Sequence, residues 1–535
     1  MTTIHVILYT EIFFVDQLSM RNLIKRRHFL QATLAASASV AVSAIRTTAT
    51  GSEESVEAIV IGSGFGGAVA SLRLGQAGVE TIVLERGKRW PITPTGDTFC
   101  THESPDGRST WLNNTTVLGT PISVPLYTGV LDMKVGQGIN VWQGAGVGGG
   151  SLVYNGVSYQ PSKQIFEQVF PRSINYNELD RVYYPRVRSI IKPQPIPDDI
   201  LQTPYYLGSR VFSQQAINAG FTPRKLDIAV NWDIVRQEMT GQKAPSAILG
   251  QTYYGINSGA KNSLDHNYLK MAEATGNVEI RPLHVVTLIE ELQGKKFRVI
   301  CNQINEYGQV IAQKSYVCRY LFLAAGSIGT TELLLRAKAK GTLKKLNDQV
   351  GQFWGMNSDA IGAVIAKTST NPTQGGPAAI GLEDWQNPIA PVTMVYAPFP
   401  FLPDGLLAAL CMSIGKPEGY LSYNQNTGNA DLFWPKDTAN NQKNLQAFLS
   451  TYKRLIEANN LVLTGTPDSS VVGHPLGGAV IGKVCNHFGQ VLGYSNLFVV
   501  DGALIPGSTG CVNPSLTIAA LAERCMDSFL NRIPA

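Results

Sequence analysis

The chain has 535 residues, 44% hydrophobic and 16% charged, with 52 glycines and 29 prolines. That length exceeds one simple core and predicts interleaved domains in a loop-rich globular protein. The formal charge of +5 is diluted, with no lysine or arginine block outside the N-terminus, which excludes the footprint of a nucleic-acid-binding protein. The seven cysteines, Cys100, Cys301, Cys318, Cys411, Cys485, Cys511 and Cys525, are scattered and never form Cys-x-x-Cys. They argue against a zinc site and a disulfide framework, and leave room for one incidental disulfide.

Lys25-Arg26-Arg27-His28-Phe29-Leu30 precedes a weakly apolar run ending in Val42-Ser43-Ala44. Paired arginines, modest hydrophobicity and a small-residue end predict a twin-arginine export signal over residues 1–44, with Met20 as an alternative start. The run is shorter than the roughly 18 residues a membrane anchor needs. The expected location is therefore the periplasm or the cell exterior.

Residues 58–69 hold an apolar strand that ends in Gly62-x-Gly64-x-x-Gly67, followed by an alanine-rich helical pattern and a second strand closing on Glu85. That order is a βαβ unit. Gly62 permits the tight turn, Gly64 lets backbone approach a pyrophosphate, Gly67 lets helix and strand pack closely, and Glu85 is placed to accept from a ribose. A glycine fingerprint alone is weak, but with both strands, the helix and the acid in place it specifies a dinucleotide site.

Residues 90–130 read as loops and short strands. A second glycine cluster, Gly144 to Gly150 followed by Ser151, leaves backbone N–H groups uncovered for a planar or anionic ligand. Residues 161–254 carry amphipathic helical patterns. Residues 263–273 predict a helix capped by Ser263, and the segments at Val278–Ile280 and Val285–Leu292 return to the first domain. Leu321 to Gly329 is a buried strand running into another small-residue turn and helix.

From 346 to 469 the pattern turns irregular and aromatic, with apolar alternation over 391–403 that runs into a proline-broken loop and a buried strand predicted at 406–414; Phe399 to Leu407 reads either as an apolar lid or as a core turn. The C-terminus holds His474-Pro475-Leu476-Gly477-Gly478, a strand ending in Asp501-Gly502, and Asn513-Pro514 opening a helix. Pro514 suits a first helical turn, and Asn513 is placed where its side chain and the helix dipole face a ligand.

These motifs, in this order over residues 55–531, resemble the glucose-methanol-choline (GMC) oxidoreductases, and within them the bacterial cholesterol oxidases that hold FAD noncovalently. The resemblance implies an α/β protein, α+β overall. Its Rossmann-like FAD domain would be assembled from residues 55–90, 130–160, 255–345 and 470–531. A substrate domain with a large, mainly antiparallel sheet would take residues 91–129, 161–254 and 346–469. It also implies that Gly62, Gly64, Phe65, Gly66, Gly67 and Glu85 hold the ADP half. The Val286 backbone would meet the adenine, and Gly150, Ser151, Asn155, Gly156, Asp501 and Gly502 would line the pyrophosphate, ribityl chain and ring. His474 and Asn513 match the catalytic pair, and no metal is implied.

The chemistry of those residue types agrees. Oxidising an alcohol needs a base with a pKa near neutrality, for which histidine is suited, and a polar group to orient the oxygen, for which Asn513 is suited. His102, His266, His284 and His487 lack such neighbours and read as structural. Two positions depart from the family pattern. Tyr154 stands where an asparagine is usual, with Asn155 following it. Val395 stands where cholesterol oxidases carry the glutamate that moves the ring double bond.

The expected reaction is oxidation of a secondary hydroxyl on a large apolar alcohol, a sterol by preference, with O2 or a quinone-like acceptor and a transient membrane-surface contact for substrate uptake. The absence of the glutamate leaves the isomerisation step open. The alternatives are a GMC enzyme for another apolar alcohol and a noncatalytic FAD-binding protein. A nicotinamide-linked enzyme would carry a second Gly-x-Gly-x-x-Gly in a βαβ unit of its own; the one other match to that spacing, Gly144 to Gly149, lies in the second glycine cluster.

Overall fold

Ile59, Val60 and Ile61 are buried without interruption and end the strand Glu54–Ile61. Such a run is what a strand covered on both faces requires. It lies inside a parallel array ordered Val278–Arg281, Thr81–Leu84, Glu54–Ile61, Val310–Leu323 and Leu497–Val499. The strand order reverses beside Glu54–Ile61. In open sheets of this kind, ligands bind beyond the carboxyl ends of the strands at that reversal. Phe297–Ile304 and His284–Glu291 extend the sheet antiparallel from the first part of Val310–Leu323.

The computed structural model describes residues 53–370, 374–400 and 402–532. The export leader expected over residues 1–44 falls outside them. Residues 54–117 and 122–535 make one compact unit. Among the described residues no helix is long and apolar enough to cross a membrane. All seven cysteines are buried and free, so the incidental disulfide is not formed.

A second, antiparallel sheet of six strands runs Val462–Leu463, Ala360–Ile365, Leu406–Met412, Val392–Tyr396, Ile380–Asp384, Pro223–Lys225. One face packs on helices Leu207–Asn218 and Ala439–Asn459. Tyr396 stacks on Phe212 at 5.8 Å, and the Tyr452 hydroxyl lies 3.7 Å from Cys411 Sγ. The 21-residue helix Ala439–Asn459 corrects the irregular reading of this region. Its buried positions Asn444, Ala447, Phe448, Thr451, Tyr452 and Leu455 fall on one helical stripe. Polar residues within the stripe masked the period.

The helix expected over 263–273 is shorter, Tyr268–Glu273, because Asn267 rather than Ser263 caps it: Asn267 Oδ1 accepts from Tyr268 N at 2.6 Å. The C-terminal helix Ser515–Leu530 carries a fully buried carboxylate, Glu523, that binds the first helix to its neighbours. Arg73 donates to it from Nε and Nη2 at 2.7 Å each, Tyr268 from its hydroxyl at 2.8 Å, and Arg186 at 3.3 Å.

Candidate active site

The glycine turn connects Glu54–Ile61 to the helix Phe65–Gln76. Gly62 has φ +97°, and a Cβ there would stand 2.4 Å from the Ala324 oxygen. A Cβ at Gly66 would meet the Val500 oxygen at 2.0 Å, and one at Gly67 the Gly62 oxygen at 2.0 Å. These glycines let the helix N-terminus descend onto the strand ends. Gly64 differs: a Cβ there meets nothing within 4 Å, and the same holds at Gly150 and Gly326. Gly64 also gives the helix no side-chain cap. Open space beside an uncapped helix N-terminus fits a dinucleotide pyrophosphate.

The second glycine cluster is pressed against the first, since a Cβ on Gly149 would lie 2.8 Å from Gly64 Cα. Ser63, which the sequence reading passed over, joins the two: its hydroxyl donates to Glu85 Oε2 at 2.7 Å and accepts from Gly148 N at 3.1 Å. Glu85 is buried and also accepts from Ser63 N and Gly87 N at 3.0 and 2.9 Å. In this structure its carboxylate therefore closes the turn, and a ribose would share its remaining lone pairs.

Ser151 is likewise engaged, donating to the Gly148 oxygen at 2.7 Å and accepting from Leu264 N at 3.0 Å. The Phe65 ring stands edge-on to Tyr154 at 5.4 Å. Lys261, fully buried, donates to the oxygens of Leu152, Tyr154 and Thr252 at 2.8 to 2.9 Å, and burial lowers its pKa to about 7. Gly156 packs on Ile228 and Ala229, away from the glycine turn. Val286 lies at the bulge where His284–Glu291 slips register against Phe297–Ile304.

Asp501 supplies the other wall. Its Oδ2 accepts from Gly326 N at 2.8 Å and Thr330 Oγ1 at 2.6 Å, and its Oδ1 from Ala503 N at 2.8 Å. Burial pushes its carboxyl up to about 6 against the pull of those donors. Gly502 offers its oxygen to Gly477 N at 2.9 Å, which draws the His474 loop onto this wall.

His474 follows the short strand Val471–Val472, which pairs parallel with Asn140 and Val141 at the start of the strand leading into the glycine cluster. Its Nε2 lies 3.5 Å from Asn513 Nδ2, so the structure brings the predicted pair together. Its Nδ1 lies 2.9 Å from Asp359, a residue that sequence reasoning missed. Asp359 closes the polar trio Asn357-Ser358-Asp359 between two apolar stretches, and that placement was the available signal. Asn513 Oδ1 is buried without a hydrogen-bond partner, as expected of a group awaiting a ligand.

Asp359 directly precedes the strand Ala360–Ile365, and alternation puts Ile361 and Ala363 on its side of the sheet. Register adds Leu410 and Ala408, then Val395 and Ala397, to the same face. Ala363, Ala397, Ala408 and Phe399 form one apolar cluster with Tyr253 and Ile361 packed against it. Phe399 stacks on Tyr253 at 4.8 Å, which ties the start of the 399–407 segment to the core. Asn155 joins this region rather than the glycine turn: its Nδ2 donates to the Tyr253 hydroxyl at 3.3 Å, and its Oδ1 accepts from Ala378 N at 3.2 Å. Glu383 shares the face of Thr393 but is tied to Arg224 at 2.6 Å and to the Tyr159 hydroxyl. It does not stand in for an acid at Val395, which is 2% exposed among apolar neighbours.

Models of the GMC oxidoreductase family match residues 56–352 and 429–522. The chain belongs to the GMC oxidoreductases. It is an FAD-dependent oxidoreductase acting on CH–OH groups. Two curated relatives are both named cholesterol oxidase. The one from Acinetobacter baumannii is 24% identical, over 88% of this chain and 93% of its own. The one from Mycobacterium tuberculosis is 23% identical, over 89% and 91%.

Among solved structures, pyridoxine 4-oxidase from Mesorbium loti superposes with a TM-score of 0.63 at 14% identity, covering 90% of this chain and all of that one. A fungal aryl-alcohol oxidase gives 0.60 at 13%, covering 89% and 99%. These likenesses establish the fold.

Proposed function

We propose that the protein oxidises a secondary hydroxyl on a large apolar alcohol, with the 3β-hydroxyl of a sterol as the leading substrate, and holds its FAD noncovalently. The observation that carries this reading is the His474–Asn513 pair at the end of an apolar sheet face built from Ile361, Ala363, Val395, Ala397, Ala408 and Leu410. The cholesterol oxidase names of the relatives support the sterol assignment.

Gly62 to Gly67 and the Asp501 wall would hold FAD, which when bound would supply the two-electron acceptor for the hydride leaving the carbinol carbon. His474 Nε2 takes the hydroxyl proton. Asn513 holds the oxygen as charge develops on it, and the apolar face excludes water and seats the ring system. O2 or a quinone-like carrier would be the final electron acceptor. Val395 leaves no base for double-bond migration, so a Δ5 sterol gives the unconjugated ketone. The leader supports export, where a transient membrane-surface contact would deliver so insoluble a substrate.

Anaerobic mixing with a panel of sterols and other apolar alcohols tests the reading through bleaching of flavin absorbance. Bleaching by a sterol, lost by about 10² to 10⁴ in rate in His474→Ala, is the expected result. No bleaching with any sterol overturns the substrate, an unchanged rate in His474→Ala overturns the base, and a conjugated enone in the product spectrum overturns the missing isomerisation.

A further inference from the structure

Asp359 is a buried carboxylate in contact with His474, and the reaction above gives it no part. Its Oδ1 is hydrogen-bonded to His474 Nδ1 at 2.9 Å, Oδ2 lies at the same distance without a hydrogen-bond partner, and the side chain is 2% exposed. We propose that Asp359 is a positioning residue: it holds the proton of His474 on Nδ1, so that Nε2 presents its lone pair to the substrate hydroxyl. The inference rests on the reading of His474 as base.

The donors and acceptors around the ring fix its tautomer. An ionised carboxylate can only accept, so the nitrogen facing Asp359 must carry hydrogen. On the other edge of the ring, Asn513 Nδ2 lies 3.5 Å from Nε2, and an amide nitrogen can only donate. Both neighbours demand one tautomer. When the substrate O–H bond breaks and its proton joins Nε2, the C–H electron pair leaves with the hydride, and the ring becomes a cation beside the Asp359 anion. A free imidazole in water would divide between its tautomers, whereas this one is held in the form that can act.

The backbone holds this arrangement by unusual means. Asn357 and Ser358 occupy consecutive left-handed conformations, φ 58° and 56°, which non-glycine residues seldom adopt and which cluster at functional sites. Asn357 Oδ1 accepts from Thr509 N at 2.9 Å and Thr509 Oγ1 at 3.1 Å, while its Nδ2 donates to the Val512 oxygen at 2.9 Å. Ser358 Oγ accepts from Asn444 at 2.7 Å. One buried residue thus ties the segment carrying Asp359 to the loop carrying Asn513, the two groups that flank His474.

The test is nitrogen NMR on the FAD-loaded protein with 15N-labelled histidine, with the His474 signals assigned by their loss in His474→Gln. The wild type is expected to show His474 protonated on Nδ1 alone. Asp359→Asn, nearly isosteric, offers an N–H to the same nitrogen and is expected to move the proton to Nε2. Anaerobic flavin reduction should fall about 10²- to 10⁴-fold with KM nearly unchanged, as in serine proteases when the carboxylate orienting the catalytic histidine becomes an amide.

A wild-type His474 protonated on Nε2 overturns the proposal even if Asp359→Asn fails to load FAD. So does an Asp359→Asn enzyme with the wild-type tautomer and a rate within threefold. If His474→Gln reduces flavin at the wild-type rate, the base reading itself fails and takes the purpose of Asp359 with it. If His474→Gln is inactive while Asp359→Asn is unchanged, the Asp359 proposal fails alone.

Discussion

Replacing Gly64 by alanine separates binding of the cofactor from stability of the protein. The backbone there, φ −70° and ψ −166°, is open to alanine, and the added Cβ meets no protein atom within 4 Å. By restricting the unfolded chain, the substitution should raise the stability of the FAD-free protein by about 0.4 to 1 kcal/mol. The same methyl group projects where an anionic group must approach backbone N–H donors to about 3 Å. Losing one charge-assisted hydrogen bond costs about 1.5 to 3 kcal/mol, or roughly 10- to 150-fold in Kd.

Gly66→Ala is the contrasting control. Its Cβ would stand 2.0 Å from the Val500 oxygen, a backbone atom that cannot swing aside. The helix must lift off the strand, so stability should drop by about 1 to 3 kcal/mol along with FAD affinity. Urea unfolding of the FAD-free variants and FAD titration by flavin fluorescence make the comparison. A Gly64→Ala protein that binds FAD with the wild-type Kd would refute the placement of the pyrophosphate at this turn.

Two further outcomes follow from buried carboxylates. Asp501 has its pKa raised from 3.8 to about 6 by burial. The folded state then binds more protons than the unfolded one between those values, so its stability contribution is complete below pH 3.8 and is lost as pH rises through 6. The loss should be on the order of 3 kcal/mol by urea unfolding of FAD-free protein, relative to Asp501→Asn across that window; parallel curves for the two proteins would contradict it. Glu523→Ala strands Arg73 and Arg186 beside a buried void and should cost about 3 to 5 kcal/mol in unfolding free energy. A cost under about 1 kcal/mol would show that the network is not what fastens the C-terminal helix.

The βαβ unit, the second glycine cluster and the His474 and Asn513 segments were legible because each is a local pattern: an apolar run, a glycine at a turn, an acid at a strand end. What escaped was nonlocal. Ser63 reads as a spacer inside the fingerprint, and only the fold shows it joining Glu85 to Gly148, which lies 85 residues beyond Ser63 in the chain. Asp359 meets His474 across 115 residues, through a hydrogen bond that no spacing rule encodes. Glu85 and Ser151 were read from the ligand's side, and the structure shows the same groups already engaged in holding the loops. The helix Ala439–Asn459 was hidden because Asn444 and Thr451 sit in its buried stripe, bonded to Ser358 and to Asp384 at 2.7 Å each. Polar residues that are buried with partners break a hydrophobic period without breaking the helix.

The cofactor wall and the chemistry share backbone hydrogen bonds rather than side chains. Gly477 N donates to the Gly502 oxygen, Leu476 and Gly355 exchange hydrogen bonds at 2.8 and 2.9 Å, and Val471 pairs with Asn140. On the proposed reading a His474 fixed in this way keeps its place when the apolar face is rebuilt, because the side chains of Ile361, Val395 and Leu410 make none of these hydrogen bonds. Substrate size and ring pattern can therefore change at those positions while proton abstraction stays intact. On the sterol reading that division is compatible with Val395, since the strand Val392–Tyr396 and the His474–Asn513 pair stand on different elements of the same fold.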